Sequence, residues 1–277
     1  MTYAQGLRKG TSTCFCGGIP TPENLAELKR VGVEAIEISA NLKNYFEKMD
    51  ILHRAGEYAK MIEDAGLEWW SVHLPFSRGQ DISLADAAQR DNILDINEKM
   101  IRACGRAGCK VAVLHPSSEP IAYGERLERL KHSRQGIIHL RQVCDQVGMK
   151  LAVEDLPRTC LCNQSNEMLT LLAGTGAGVV FDTNHSLSED NLHYMNAILA
   201  GGLEILSLHI SDYDFVDERH RLPGDGINDW KGILSILEKA GYAGPLMYEV
   251  PRRPKDREDI TFDQLGENMR ALAAGEI

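Results

Sequence analysis

Several features that would place a protein at once are missing from this chain of 277 residues. No stretch approaches the ~20 consecutive apolar residues that a bilayer-spanning helix needs. The opening residues, MTYAQGLRKG, carry no apolar run of the signal-peptide kind, so a soluble, cytoplasmic protein is the expectation. No G-x-G-x-x-G follows the first apolar run, which removes one reason to expect an open dinucleotide-binding sheet. Low-complexity segments and short repeats are absent. Positive charge is in deficit: 30 Lys and Arg stand against 40 Asp and Glu, a net charge of −10. That balance weakens any general attraction to polyanions. Aromatic residues are only 6% of the chain, and the loops show no dense interleaving of basic and aromatic residues such as a nucleic-acid groove requires. Cysteines number seven, an odd count in a long chain, which argues against a secreted disulfide scaffold. Two C-x-C pairs, Cys14/Cys16 and Cys160/Cys162, have the spacing of thiolate ligands, but small apolar residues lining strand and loop are the commoner use.

What the sequence does contain is alternation. Apolar runs at Thr11–Cys16, Val33–Ala40, Glu68–Pro75, Lys110–Pro116, Lys150–Pro157, Gly178–His185, Glu204–Ser211 and Pro245–Val250 read as strands. Between them lie helical periods, such as Leu127, Leu130, Ile137, Leu140, Cys144 and Val147, or Leu42, Phe46, Met49, Leu52, Ala55, Ala59 and Ile62. Glycines such as Gly66, Gly148 and Gly241 stand where these helices should end. Eight β and α units in turn predict a parallel sheet with crossover helices. Closing it gives an α/β fold, a (β/α)8 barrel, for which a single domain over residues 1–277 is the right size.

Side chains alternate faces along a strand, so a barrel strand sends every second residue inward. In EILSLHISD, Leu206, Leu208 and Ile210 suit the helix side, which leaves Ile205, Ser207 and His209 inward. The same reasoning turns Trp69, Ser71 and His73 inward, then His115, Glu154, Asp182 and Glu249. Six successive strands thus end on an inward polar residue: His73, His115, Glu154, Asp182, His209 and Glu249. They lie at the C-terminal ends, where barrel active sites are built. An isolated strand-end His is more commonly structural. Six such groups in one ring are different, because burying them without partners costs several kcal/mol each. A divalent cation among them resolves that cost, and His185 would lean toward it from the loop after Asp182.

These residues sit in motifs, VHLP, VLHP, VEDLP, FDTNH, LHISD, RHRLPGDGINDW and GYAGPLMYEV, through which the chain resembles the xylose isomerase-like TIM barrels. That group holds sugar and sugar phosphate isomerases and epimerases, with an abasic-site endonuclease branch. In the epimerases a Glu, an Asp, a His and a second Glu hold one divalent ion; the resemblance implies Glu154, Asp182, His209 and Glu249 as ligands here. It also implies that Glu154 and Glu249 act as acid and base on either side of the substrate carbon, and that His185 contacts substrate oxygens. His220 stands where some epimerases carry an Arg, and Glu154-Asp155 where family members usually read Glu-Asn.

Three carboxylates and one imidazole suit Mn²⁺, with Mg²⁺ or Co²⁺ as substitutes. Such an ion polarises a carbonyl and stabilises the enediolate formed on proton loss. A small sugar or sugar phosphate is then the partner, with nucleic acid and membrane disfavoured and a homo-oligomer left open. The endonuclease branch instead uses several Zn²⁺ ions, and every position of its cluster has a counterpart here: His73, His115, His185, Glu218 and His220 join the four ligands above. A lyase or dehydratase acting on a keto-sugar or cyclitol is a further alternative on the same machinery. Glu37 also faces inward and either touches substrate or pairs with a cation. Arg158 and the basic run PRRPKDRED offer phosphate contacts, although solvated loops are the commoner case. SRGQDIS, residues 77–83, opens a long connection that would suit a lid. His53, His132, His139 and His193 fall on helical segments as surface or packing residues.

Overall fold

A computed structural model of the chain describes residues 2–18, 20–40, 45–254 and 257–277. Its strands are β1 Lys9–Ser12, β2 Ala35–Ser39, β3 Glu68–His73, β4 Val111–Leu114, β5 Lys150–Glu154, β6 Gly178–Asp182, β7 Ile205–His209 and β8 Leu246–Tyr248. They form one parallel sheet in chain order from β1 to β7, with β8 beside β1. The ring closes between the last two strands: Ile210 N–H donates to the Met247 carbonyl at 2.7 Å, and Glu249 N–H donates to the Ile210 carbonyl at 3.0 Å. Helices α1 Pro22–Arg30, α2 Tyr45–Asp64, α3 Ala87–Arg106, α4 Arg126–Gln146, α5 Ser165–Leu172, α6 Asn191–Ala200, α7 Trp230–Ala240 and α8 Phe262–Ala274 alternate with the strands, as a (β/α)8 barrel demands. Among the described residues, no helix is long and apolar enough to cross a membrane.

Local chemistry sets the helix ends. Thr261 and Gln264 form a capping box at the start of α8, and Asp229 accepts from Gly232 N–H at the start of α7. Gly241 ends α7 at φ 67°, a left-handed conformation that glycine takes without steric cost. In α4, Ile137, Leu140 and Cys144 are buried as the period predicts, but Leu127, in the first turn of the helix, is 76% exposed. In α2, Ala55 and Ile62 are buried, Arg54 breaks the helical geometry at φ −117°, and Leu42 lies outside the described residues.

The strand alternation departs from expectation in two places, for one reason. The β2–β3 register jumps from Ile36↔Trp69 to Glu37↔Ser71, and the β6–β7 register from Val179↔Ile205 to Val180↔Ser207. Each jump is a β-bulge, an extra residue that resets which face the strand presents. Trp69 and Ile205 consequently pack in the large apolar layer that holds the helices. Trp70 and Leu206 fill the barrel interior with Val111, Val113, Ala152 and Val180. Trp70 Nε1–H donates to Ser207 Oγ at 3.3 Å, joining the two bulged strands. Beyond the bulges the alternation resumes, so His73 and His209 still point inward. β1 also differs: it begins at Lys9, and Thr13–Cys16 form a 3-10 turn.

The SRGQDIS segment is anchored rather than poised as a lid. Asp81 and Ser83 are buried, and the Arg129 guanidinium from α4 reaches both. Asp81 also accepts from the backbone N–H groups of Ser83 and Ser118, each at 2.7 Å, so one carboxylate ties the β3–α3 and β4–α4 connections together. Replacing Arg129 with Met would leave Asp81 buried and uncompensated, which costs about 3–5 kcal/mol. Urea denaturation should show that loss; a change under about 1 kcal/mol would mean the tie is not a structural anchor.

Candidate active site

The six inward groups gather at the C-terminal mouth. His73, Glu154, Asp182 and His209 are the last residues of β3, β5, β6 and β7, while His115 and Glu249 follow β4 and β8 directly. Glu154, Asp182 and His209 are 0% exposed, so water does not solvate their charges. His209 Nδ1 lies 3.0 Å from Glu154 Oε1, 3.3 Å from Glu249 Oε2 and 3.8 Å from Asp182 Oδ2. On the other side of Glu154, Oε2 lies 3.1 Å from both His73 Nε2 and His115 Nε2. Glu154 therefore presents one oxygen to each of two groups. The Phe76 ring stacks on His115 with centroids 4.0 Å apart and leans against His73 at 4.7 Å.

FDTNH builds its part of the mouth residue by residue. Asp182 Oδ1 accepts from Asn184 N–H at 2.6 Å, and Asp182 N–H donates to Asp155 Oδ1 at 2.7 Å. Thr183 Oγ1–H donates to the Ser211 carbonyl at 2.7 Å, pinning the segment to β7. Asn184 Oδ1 accepts from the N–H groups of Arg219 and His220 at 3.0 and 3.2 Å. That grip places His220 in the mouth at φ 47°. His185 Nδ1 lies 2.8 Å from the Asp155 carbonyl, which only accepts, so Nδ1 carries the proton and Nε2 is left toward Glu218 Oε1 at 3.9 Å.

The spacing LHISD…LPGDGINDW has an equally local cause. Asp212, fully buried, accepts from Tyr213, Gly224 and Asn228 N–H and from Trp230 Nε1–H, all between 2.9 and 3.1 Å. A side chain at position 226 would place its Cβ 2.3 Å from Asp212 Oδ1, so only glycine fits there.

Four sets of residues bring one potential ligand atom each within 4.8 Å of one another: Glu154, Asp182, His209 and Glu249; His73, His209 and Glu249; His73, His115 and Glu154; and His185, Glu218 and His220. His73, His115, Glu154, Asp182, His185, His209, Glu218, His220 and Glu249 thus each fall into at least one of these sets, while Glu37 and Arg158 fall into none. A divalent cation fits the first. Asp182 Oδ2 is buried among these groups with no hydrogen-bond partner, a costly arrangement unless an ion completes it. No cysteine joins any set among the described residues, and burial pushes the Cys16 and Cys160 thiols up to about 11 and 12, away from the thiolate a metal would need.

Burial alone would discharge these groups, but their neighbours overrule it. Burial lowers His209, yet Glu249, Glu154 and Glu37 together hold its pKa well above the usual imidazole value. Burial raises Glu154, yet His209 and His115 hold it well below the carboxylate range. Asp182 goes the other way, pushed up by burial and then by Glu249. Burial also lowers His115 and raises Asp155.

Two further residues line the site, Phe76 without a sequence signal and Glu37 with one. Phe76 lies in a loop, where alternation says nothing. Glu37, on β2, faces inward as expected and turns out to lie against His209 Nε2, one oxygen at 3.2 Å and the other at 3.3 Å. Arg158 is committed elsewhere: Glu119 at 2.8 Å, Asp217 at 2.9 Å and Glu218 at 3.0 Å surround it. The PRRPKDRED run falls partly outside the described residues at 255–256, while its Arg257 pairs with Asp225 at 2.6 Å.

A closed parallel barrel with carboxylates and imidazoles gathered at its C-terminal mouth defines a class of protein. Residues 25–272 match the family described as the xylose isomerase-like TIM barrel, and the chain belongs to it. Among solved structures, a D-tagatose 3-epimerase-like protein superposes with a TM-score of 0.81 at 16% identity over 98% of both chains. D-Psicose 3-epimerase, solved in the presence of D-fructose, gives 0.77 at 18% identity, again over 98% of both. At such identities the likeness is one of fold. Inosose dehydratase of Bacillus licheniformis is 26% identical over 140 residues, 43% of this chain and 46% of that protein. An uncharacterised protein of Methanocaldococcus jannaschii is 22% identical over 185 residues, 64% of this chain and 63% of that one. The chain thus spans less than two thirds of either curated relative.

The charges of the site generate a pH prediction. His209 is raised, so its contribution to stability is present below the ordinary value of 6.5 and is lost as pH climbs through its folded value. Glu154 is lowered, so its contribution is present above the ordinary 4.5 and is lost as pH falls through its folded value. The Tm of the metal-free protein should therefore drop as pH rises above the ordinary imidazole range. Mn²⁺ added at pH 7 should release protons, because His209 and Asp182 are both held above their ordinary values and must give up their protons to the ion. Calorimetry in two buffers of different ionisation enthalpy measures that release, and no buffer dependence would contradict a protonated His209.

Proposed function

We propose that the chain is a divalent-metal-dependent isomerase or epimerase of a sugar-like substrate, one barrel unit acting by proton transfer beside a carbonyl. The observation that carries this reading is the convergence of Glu154, Asp182, His209 and Glu249 around the unpartnered Asp182 Oδ2. Mn²⁺, Mg²⁺ or Co²⁺ held there would act as a Lewis acid for neighbouring carbonyl and hydroxyl oxygens. Glu154 and Glu249 take and return the proton on opposite sides of the substrate carbon. Glu249 side chain is 16% exposed against 1% for Glu154, so it is the carboxylate that trades its proton with water. His73 and His115 hold Glu154 Oε2 in place, each at 3.1 Å, and His185 and His220, edge to face at 6.0 Å, hold substrate hydroxyls. Because Arg158 is already neutralised by carboxylates, an unphosphorylated substrate suits this wall. The epimerases among the structural relatives support the reaction class. If a leaving hydroxyl follows the same abstraction, the outcome is dehydration, the activity in the name of the Bacillus licheniformis relative.

A second reading rests on the two flanking sets. His73–His115–Glu154 shares Glu154 with the central four, and His185 of His185–Glu218–His220 lies 3.5 Å from both Glu154 and Asp182, a contiguous set of ligands such as a multi-zinc abasic-site phosphodiesterase would use. The acidic rim of Glu119, Asp217 and Glu218 disfavours a polyanion.

Metal content decides between the readings: one Mn²⁺-type ion per chain is expected for the isomerase, and two or three Zn²⁺ with nicking of an abasic duplex for the phosphodiesterase. In heavy water, ketoses should gain deuterium at the carbon beside the carbonyl. Glu154→Gln and Glu249→Gln should each slow that exchange by about 10²–10⁴-fold. Full exchange in either variant would end the paired acid–base scheme.

A further inference from the structure

We infer that Glu37 is a positioning residue that fixes the ring of His209 for the cation, an inference resting on the reading of His209 as a metal ligand. Glu37 comes from β2, a strand that contributes no residue to the central set, and its side chain is 0% exposed. Its partners are few. Ser71 Oγ–H donates to Glu37 Oε2 at 2.8 Å, and His209 Nε2 lies 3.3 Å from the same oxygen and 3.2 Å from the other.

The two ring nitrogens of His209 therefore have different tasks. A carboxylate already accepting from Ser71 accepts again from Nε2, so the Nε2 proton is held on the Glu37 side. Nδ1 is left on the side of Glu154, Glu249 and Asp182, at 3.0, 3.3 and 3.8 Å, which is where the cation fits. A carboxylate on the far nitrogen selects this tautomer, stops the ring turning over, and makes Nδ1 a better electron donor. His209 also lies nearly parallel to His73, their ring planes 14° apart and centroids 5.6 Å apart, so the ring has packing on its face as well as a bond at its edge. Ser71 acts one step further out, aiming the Glu37 carboxylate.

The test reads metal affinity without turnover. Mn²⁺ affinity is measured by chelator competition, and the absorption spectrum of the Co²⁺-loaded protein reports the ligand field. Glu37→Gln removes the charge and lets an amide N–H compete for Nε2; it should weaken Mn²⁺ binding by about 10–100-fold and shift the Co²⁺ bands. Glu37→Asp keeps the charge but shortens the reach, and should weaken binding in the same direction, which keeps the test open if the Gln variant fails to fold. Ser71→Ala should weaken binding by less than Glu37→Gln. Folded Glu37 variants with wild-type affinity and an unchanged Co²⁺ spectrum would overturn the inference while leaving the metal reading intact. A wild-type protein that takes up neither ion would overturn both.

Discussion

Buried charge of one sign, gathered from separate strands, is the constraint around which this molecule is arranged. Four carboxylates, Glu37, Glu154, Asp182 and Glu249, surround the two nitrogens of a single imidazole, His209. Such a ring is intolerable in a dry interior without cationic compensation. A proton on His209 supplies part of it, and Asp182 Oδ2, near His185 and His209 but accepting no hydrogen bond, marks where an ion would complete it. The barrel makes the gathering feasible, because parallel strands deliver their last residues to one rim from all directions. Much of the rest of the mouth is scaffolding for that ring. Asp212 shapes the β7–α7 loop, Thr183 and Asn184 bind that loop to β6, and the Arg129–Asp81 pair fixes the loops after β3 and β4.

The rim was legible in the sequence because period-two alternation survives at strand ends. His73, His115, Glu154, Asp182, His209 and Glu249 could all be assigned an inward direction from their apolar neighbours. The lower half of the barrel was not legible. Alternation puts Trp69, Ile205 and Leu206 on the wrong face because bulges reset β3 and β7, and a bulge is fixed by contacts between strands, here the Trp70–Ser207 bond and the packing of the barrel floor. Nothing within either strand announces it.

Roles were harder to read than directions. Glu37 was visibly inward, but its pairing with His209 joins residues 172 positions apart, and no spacing rule reaches that far. Arg158 looked available for a phosphate because its carboxylate partners come from two other loops. SRGQDIS looked like a mobile cover because its anchor, Arg129, sits on α4 and carries no mark in the segment itself. In each case the missing information was the partner. A buried group's function is set by what stands opposite, and that is a property of tertiary packing.

The Asp212 clamp divides the β7–α7 loop into two parts with different freedoms. Its root, from Gly224 to Trp230, is locked by three donors converging on one carboxylate, which Tyr213 N–H also reaches, and by a close approach that admits only glycine. Its tip carries Phe215 and Val216 out into solvent, 43% and 76% exposed, beside Glu218 and His220 at the mouth. The rest of the tip is tied down, Asp217 and Glu218 by Arg158 and the backbone of Arg219 and His220 by Asn184. A change at Phe215 or Val216 would therefore redraw the border of the mouth and leave the carboxylate clamp below it untouched.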